Sequence, residues 1–146
     1  TFVPKERLEA AERPGPDAPA SGASHWPVKI RLVPPTAPFL KDADLLIVAD
    51  CVPAAYPRFH GDLAKGKVLM MGCPKFDDAQ AYIDKFVEIF QKADIRSITN
   101  VYMEVPCCSG LPGIVKTALA EAGAQIPVED VIIGRRGERL EDRRLA

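Results

Sequence analysis

Four runs of apolar residues punctuate the chain after its first forty positions. Residues 45–49 read Leu-Leu-Ile-Val-Ala, 67–71 Lys-Val-Leu-Met-Met, 98–105 Ile-Thr-Asn-Val-Tyr-Met-Glu-Val, and 131–133 Val-Ile-Ile. The runs at 45–49 and 67–71 mark strands covered on both faces, whereas 98–105 is β-rich and alternates in part. Between the second and third runs, Ala79, Tyr82, Ile83, Phe86, Phe90 and Ala93 recur at steps of three and four. That spacing predicts a helix over 78–93, with Asp77 or Asp78 as its N-cap. Leu111, Ile114, Val115, Ala118, Leu119 and Ala122 repeat the pattern between the third and fourth runs, where Ser109 can cap and Gly123 can end a second helix. The first crossover, 54–65, is shorter, with Pro57 tolerated only in its first turn and Gly66 closing it. Strands alternating with helices predict right-handed βαβ units. The expected fold is α/β, a small Rossmann-like parallel sheet of about four strands flanked by helices.

The N-terminal part departs from this pattern. Pro4, Pro14, Pro16, Pro19, Pro27, Pro34, Pro35 and Pro38 all fall within the first forty residues, and positions 13–24 are mainly Pro, Gly, Ala and Ser. Such a composition cannot offset its ordering entropy by burial. Residues 1–24 therefore read as a flexible linker or arm, with one or two helical turns over 5–12. Residues 25–40 carry Trp26, Ile30, Leu32, Val33, Phe39 and Leu40, too apolar a load for a free linker, yet their prolines forbid a regular strand or helix. This proline-rich segment is expected to be extended and to wrap the α/β domain, with Trp26 and Phe39 as anchors, His25 beside Trp26 anchoring the arm by packing, and a homodimer contact as the competing use of the same surface. The α/β domain itself spans 41–138. Residues 139–146 read as an exposed charged tail, since 135–146 hold five arginines and three acids.

Composition narrows the function. The 146 residues are 47% hydrophobic and 27% charged with net charge −1, an ordinary globular balance. No apolar run reaches the ~18–20 residues of a membrane span, and the charge balance lacks the basic field of a general nucleic-acid binder. Thr1–Glu12 does not resemble a signal peptide, so a cytoplasmic protein is expected. Neither GxGxxG nor GxxxxGK occurs, which leaves nucleotide binding unsupported.

Four cysteines carry the candidate chemistry. Cys51 and Cys73 each follow a predicted strand closely, and Cys107 and Cys108 follow the third strand after Pro106. The carboxyl ends of parallel strands share one edge of the sheet, where open α/β folds hold ligands. All four thiols would meet there if the three strands are neighbours. Each also precedes an expected helix start, where backbone N–H groups favour a thiolate. Cysteines that merely fill core are the alternative. There is no CxxC pair, so neither a zinc ribbon nor a thioredoxin motif is indicated. His60 is a further candidate ligand in the first crossover, and Asp50 and Glu104 flank the cysteine edge.

Several separated segments share a resemblance. His25-Trp26-Pro27-Val28, the stretch Leu32-Val33-Pro34-Pro35-Thr36-Ala37-Pro38-Phe39, and Ala43-Asp44-Leu45-Leu46-Ile47 through Ala49-Asp50-Cys51-Val52 resemble the C-terminal domain of a prokaryotic ferredoxin-type (4Fe-4S) iron–sulfur protein family. Met71-Gly72-Cys73-Pro74-Lys75, Met103-Glu104-Val105-Pro106-Cys107-Cys108 and Ile132-Ile133-Gly134 extend the likeness over about 25–138. The family's paired CxxCxxCxxxCP motifs are absent from this chain. The resemblance implies a redox setting, a ferredoxin-type domain or other redox protein as partner, and iron–sulfur in preference to zinc.

Three expectations follow. The leading one is a redox accessory domain in which Cys51, Cys73, Cys107 and Cys108, with His60 as a possible addition, hold an iron–sulfur cluster (4Fe-4S) or, alternatively, zinc. The second is a thiol-based oxidoreductase or sulfur carrier using Cys107 and Cys108. The third is a non-catalytic module that docks a ferredoxin domain.

Overall fold

The computed structural model describes residues 22–145. The arm residues 1–21, including the expected turns over 5–12, lie outside the described residues, as does Ala146. Five strands form one sheet: β1 (Asp44–Ala49), β2 (Val68–Gly72), β3 (Ser97–Met103), β4 (Val128–Ile133) and β5 (Arg139–Leu145), in the order β2-β1-β3-β4-β5. The first four run parallel and β5 returns antiparallel beside β4. This is the expected Rossmann-like α/β sheet with one strand more than expected.

The central strand accounts for the apolar run. Leu45 through Ala49 are all at most 1% exposed, because β1 has a neighbour on each side and helices over both faces. Its first residue ties the amino ends together: Asp44 accepts from the Arg96 guanidinium and, at 2.7 Å, from the Ser97 hydroxyl.

The connections show what local sequence decided. The first crossover is not one helix. Pro57, with no N–H to donate, separates the short α1 (Val52–Ala55) from a π-helical turn (Phe59–Ala64). Helix α2 (Ala79–Lys92) is capped by Asp78, whose carboxylate accepts from the Gln80 N–H at 2.9 Å. Helix α3 (Gly110–Ala122) ends at Gly123 in the left-handed region, φ 65°. Ser109 precedes it but does not cap it; its hydroxyl donates to the Pro106 carbonyl at 2.7 Å. A right-handed crossover from β1 to β2 runs opposite to those from β2 to β3 and β3 to β4, so α1 and the π turn cover one face and α2 and α3 the other. Helices α2 and α3 pack on each other.

The charged tail is instead β5. Gly134 and Gly137 close the hairpin: Gly137 takes φ 84°, its N–H donates to the Gly134 carbonyl at 2.9 Å, and Gly134 N–H donates to Glu138 carbonyl at 2.8 Å. Charged residues are usual on an edge strand, where they discourage pairing with another chain. That is why this strand resembles a solvated tail in composition.

The segment 25–40 lies against the outer edge of β2. Met71 N–H donates to Val28 carbonyl at 2.7 Å and Ile30 N–H to Met71 carbonyl at 2.8 Å, a parallel bridge. Ile30, Val33 and Leu40 are fully buried, whereas Trp26 is 80% exposed. The expectation that Trp26 anchors this segment is therefore corrected. The aromatic anchor is His25, stacked on the half-buried Phe39 with ring centroids 4.3 Å apart. Its Nε2 accepts from the Leu69 N–H at 2.8 Å, which fixes the proton on Nδ1, facing the Pro27 carbonyl at 3.1 Å. A ring with a second polar atom satisfies a backbone group at the sheet edge; an indole, with one donor and no acceptor, cannot accept that N–H.

This arrangement has a pH consequence. Burial holds the His25 pKa below its ordinary value of 6.5, partly opposed by the hydrogen bond at Pro27. The unfolded chain therefore binds a proton more readily than the folded one, so stability is complete above that value and falls as pH drops through and below it. Denaturant midpoints are expected to decrease between about pH 7.5 and about pH 5.5. His25→Gln should lack this His-dependent part of the decrease. A decrease of the same size in the variant would show that other groups produce it.

Candidate functional site

Strand order decides where the cysteines meet. Because β1 lies between β2 and β3, the three junctions bearing Cys51, Cys73 and the Cys107-Cys108 pair are neighbours on the carboxyl edge of the sheet. The chain leaves β1 toward one side and β3 toward the other. The gap between their carboxyl ends is thus the topological switch point, the crevice where open parallel sheets bind ligands. Cys51 stands on one bank and Cys107-Cys108 on the other.

All four thiols are free, but their environments differ. Cys107 and Cys51 are exposed, Cys73 is half-buried, and Cys108 is 2% exposed. Pro106–Cys108 form a single 3-10 turn leading into α3, which holds the Cys107 and Cys108 sulfurs 3.9 Å apart. Burial pushes the Cys108 thiol up to about 11; the neighbouring Cys107 and, across the crevice, Cys51 add to the rise, and a backbone hydrogen bond at Met103 partly offsets it. Near neutral pH Cys108 is a protonated thiol beside an exposed one.

The Cys73 loop is held by a buried phenol. Tyr82, fully buried on α2, accepts from the Cys73 N–H at 3.0 Å and donates to the Asp77 carboxylate. Burial and then the Asp77 hydrogen bond raise its pKa, so it stays a donor. Gly72 is required beneath it: a Cβ there would collide with the Tyr82 ring and Ile30. Pro74 lies 4.0 Å from where a Cβ on Gly110 would stand, bringing the Cys73 loop against the start of α3.

The rim is made of ion pairs. Lys29 reaches from the wrapping segment to Asp50, with its Nζ 2.7 and 2.6 Å from the carboxylate oxygens. Glu104 accepts from the Arg135 N–H at 3.2 Å and from its guanidinium at 3.3 Å, contacts that hold the carboxyl below its usual range.

The donor set can be tested against a metal. Among the described residues no three His, Cys, Asp or Glu side chains come close enough together to hold an ion. His60 faces elsewhere, its Nδ1 accepting from the Gly22 N–H at 2.9 Å, away from the cysteine edge. The four cysteines thus share an edge without forming a ligand cage in this arrangement, and His60 does not join them. Sequence reasoning did not find Tyr82, Lys29 or Arg135. Tyr82 fits the apolar repeat of α2, and nothing in that repeat shows where its hydroxyl points.

No helix among the described residues is long and apolar enough to cross a membrane. No solved structure matches the chain. A protein of Archaeoglobus fulgidus described as uncharacterized is 38% identical over 109 residues, which cover 74% of this chain and 76% of that one. Residues 37–146, the whole sheet with its helices, match the family model described as a Rossmann-like domain, and the chain belongs to that family.

Proposed function

We propose that the domain is a thiol–disulfide oxidoreductase that uses Cys107 as nucleophile and Cys108 as its resolving partner. One observation carries this reading: an exposed sulfur and a buried sulfur lie 3.9 Å apart beside the switch-point crevice. The Cys107 thiolate attacks one sulfur of a substrate disulfide, forming a mixed disulfide and expelling the other half as a thiolate. That thiolate takes the Cys108 proton. Cys108 then attacks the Cys107 sulfur and expels the second half, which is protonated by water. The substrate gains two electrons as its S–S bond breaks, and the protein loses two as the Cys107–Cys108 bond forms. Closing that bond brings the sulfurs to ~2.05 Å and reshapes the turn. A reducing compartment such as the cytoplasm would keep the thiols free, and the ferredoxin-type resemblance points to a redox protein as the source of electrons.

The test is to mix reduced protein with a chromogenic aromatic disulfide. With one equivalent of the disulfide per chain, release of two aromatic thiols and mass mapping of a 107–108 disulfide are expected. Equal, slow modification of all four cysteines would overturn the reading. The same resemblance, with the shared cysteine edge, supports a second reading, an iron–sulfur or zinc site on Cys51, Cys73, Cys107 and Cys108. It requires the loops to draw together, and stoichiometric iron or zinc after anaerobic reconstitution would favour it over the exchange reading.

A further inference from the structure

The turn between β4 and β5 is tied to both banks of the cysteine crevice. Arg135 and Arg136 are its two central residues, since the Gly137 N–H donates to the Gly134 carbonyl at 2.9 Å. On one side the turn leans on α1, the helix that follows Cys51: a Cβ on Gly137 would stand 2.6 Å from the Ala55 carbonyl oxygen. On the other side Arg135 holds Glu104, which precedes Cys107 in the same loop. The chain from Glu104 to Cys107 spans at most about 11 Å. A groove of about 540 Å³ at this turn is lined by Glu104, Arg135, Arg136, Glu138 and Leu140. Its acceptors are engaged. Glu104 accepts from the Arg135 N–H and guanidinium, and Glu138 accepts from the Arg136 N–H at 3.1 Å. The Glu138 carboxylate folds back over the turn, where a Cβ on Gly134 would collide with it. Its donors are not. The exposed Arg136 guanidinium pairs with no carboxylate among the described side chains, and Arg135 uses only its Nε on Glu104.

We infer that this groove selects small disulfides bearing a carboxylate as substrates of the Cys107–Cys108 pair, with the Arg136 guanidinium holding the carboxylate while Cys107 attacks. The inference rests on the exchange reading above and names its substrate class. A guanidinium presents parallel N–H groups that match the two oxygens of a carboxylate. Glu104 and Glu138 share the groove, and their charges oppose the roughly −2 of a phosphate more than the single charge of a carboxylate. The short reach from Glu104 to Cys107 sets the separation between carboxylate and disulfide, which is that of a small acidic molecule. Leu140, 49% exposed, offers an apolar wall to the arm that joins them.

The probes are dithiobis-nitrobenzoate, which carries a carboxylate on each ring, and dithiodipyridine, which is uncharged near neutral pH. Both are mixed with the reduced Cys51→Ser/Cys73→Ser chain, so that the signal belongs to Cys107 and Cys108. The first thiol released reports the attack by Cys107. Adding Arg136→Gln is expected to lower the ratio of first-release rates, carboxylate probe over neutral probe, by about fivefold, the scale of one exposed ion pair. Lys116→Gln, which removes the same charge from an exposed position on α3, should leave the ratio as it is. Salt at about 1 M should bring the ratio of the Arg136 chain down to that of the Gln variant, because exposed charges are then screened. A ratio that the two substitutions change equally, or that neither changes, would overturn the inference. Absence of the second release from both probes, with the ratio still lowered by Arg136→Gln, would defeat the exchange reading and keep the carboxylate site.

Discussion

Ile30→Ala is expected to cost about 2–5 kcal/mol of folding stability, whereas Trp26→Ala should change it by no more than about 0.5 kcal/mol. The contrast reverses what the composition of the N-terminal segment suggests. Ile30 is fully buried, and its Cδ1 lies over the backbone of Gly72 beside the Tyr82 ring. Truncating it opens a cavity where the wrapping segment, β2 and α2 meet, and the surrounding backbone is too well hydrogen-bonded to collapse into it. Trp26 is 80% exposed and has little contact to lose. Chemical denaturation followed by circular dichroism measures both; fluorescence does not suit, because Trp26 is the chain's single tryptophan. An Ile30→Ala cost near zero would mean that the segment is not docked as described. Because Ile30 contacts its own sheet, the midpoint should also be independent of protein concentration. A midpoint that falls on dilution would instead support the homodimer use of this surface.

Cys107→Ser should lower the rate of disulfide reduction by at least about 10³-fold, as loss of a nucleophile does. Cys108→Ser should stop the reaction halfway: one aromatic thiol is released per chain, and the other stays attached to Cys107 as a mixed disulfide visible by mass. Cys51→Ser and Cys73→Ser should complete the reaction. In the wild type the second release should accelerate as pH rises from neutrality toward about 11, the value to which burial pushes Cys108, because only its thiolate attacks. If Cys51→Ser, and not Cys108→Ser, accumulates the mixed disulfide, the resolving thiol is the one across the crevice.

Much of this scaffold was legible from spacing alone. The continuous apolar runs at β1 and β2 and the three- and four-residue steps of α2 and α3 report burial that is decided within a few residues. The positions of Cys51, Cys73, Cys107 and Cys108 at βα junctions followed directly. Where a connection depends on a local stop, as at Gly123, spacing was again sufficient. The π turn in the first crossover was less accessible, because Pro57 divides a segment whose halves find their partners elsewhere in the fold.

By itself, then, the chain's order of apolar and polar residues determined a parallel α/β sheet and the assignment of each cysteine to a strand end. The tertiary structure alone decided that β1 lies between β2 and β3, which makes three junctions neighbours and turns one gap into a switch point. It also decided that Cys108 is buried while Cys107 is exposed, that Trp26 stays exposed and anchors nothing, that Tyr82 holds the Cys73 loop, and that the charged segment 139–145 pairs as β5. The physical reason is common to all of these. Helix periodicity and strand burial are short-range properties, whereas strand pairing, the desolvation of one thiol and the partner of one hydroxyl depend on residues tens of positions away.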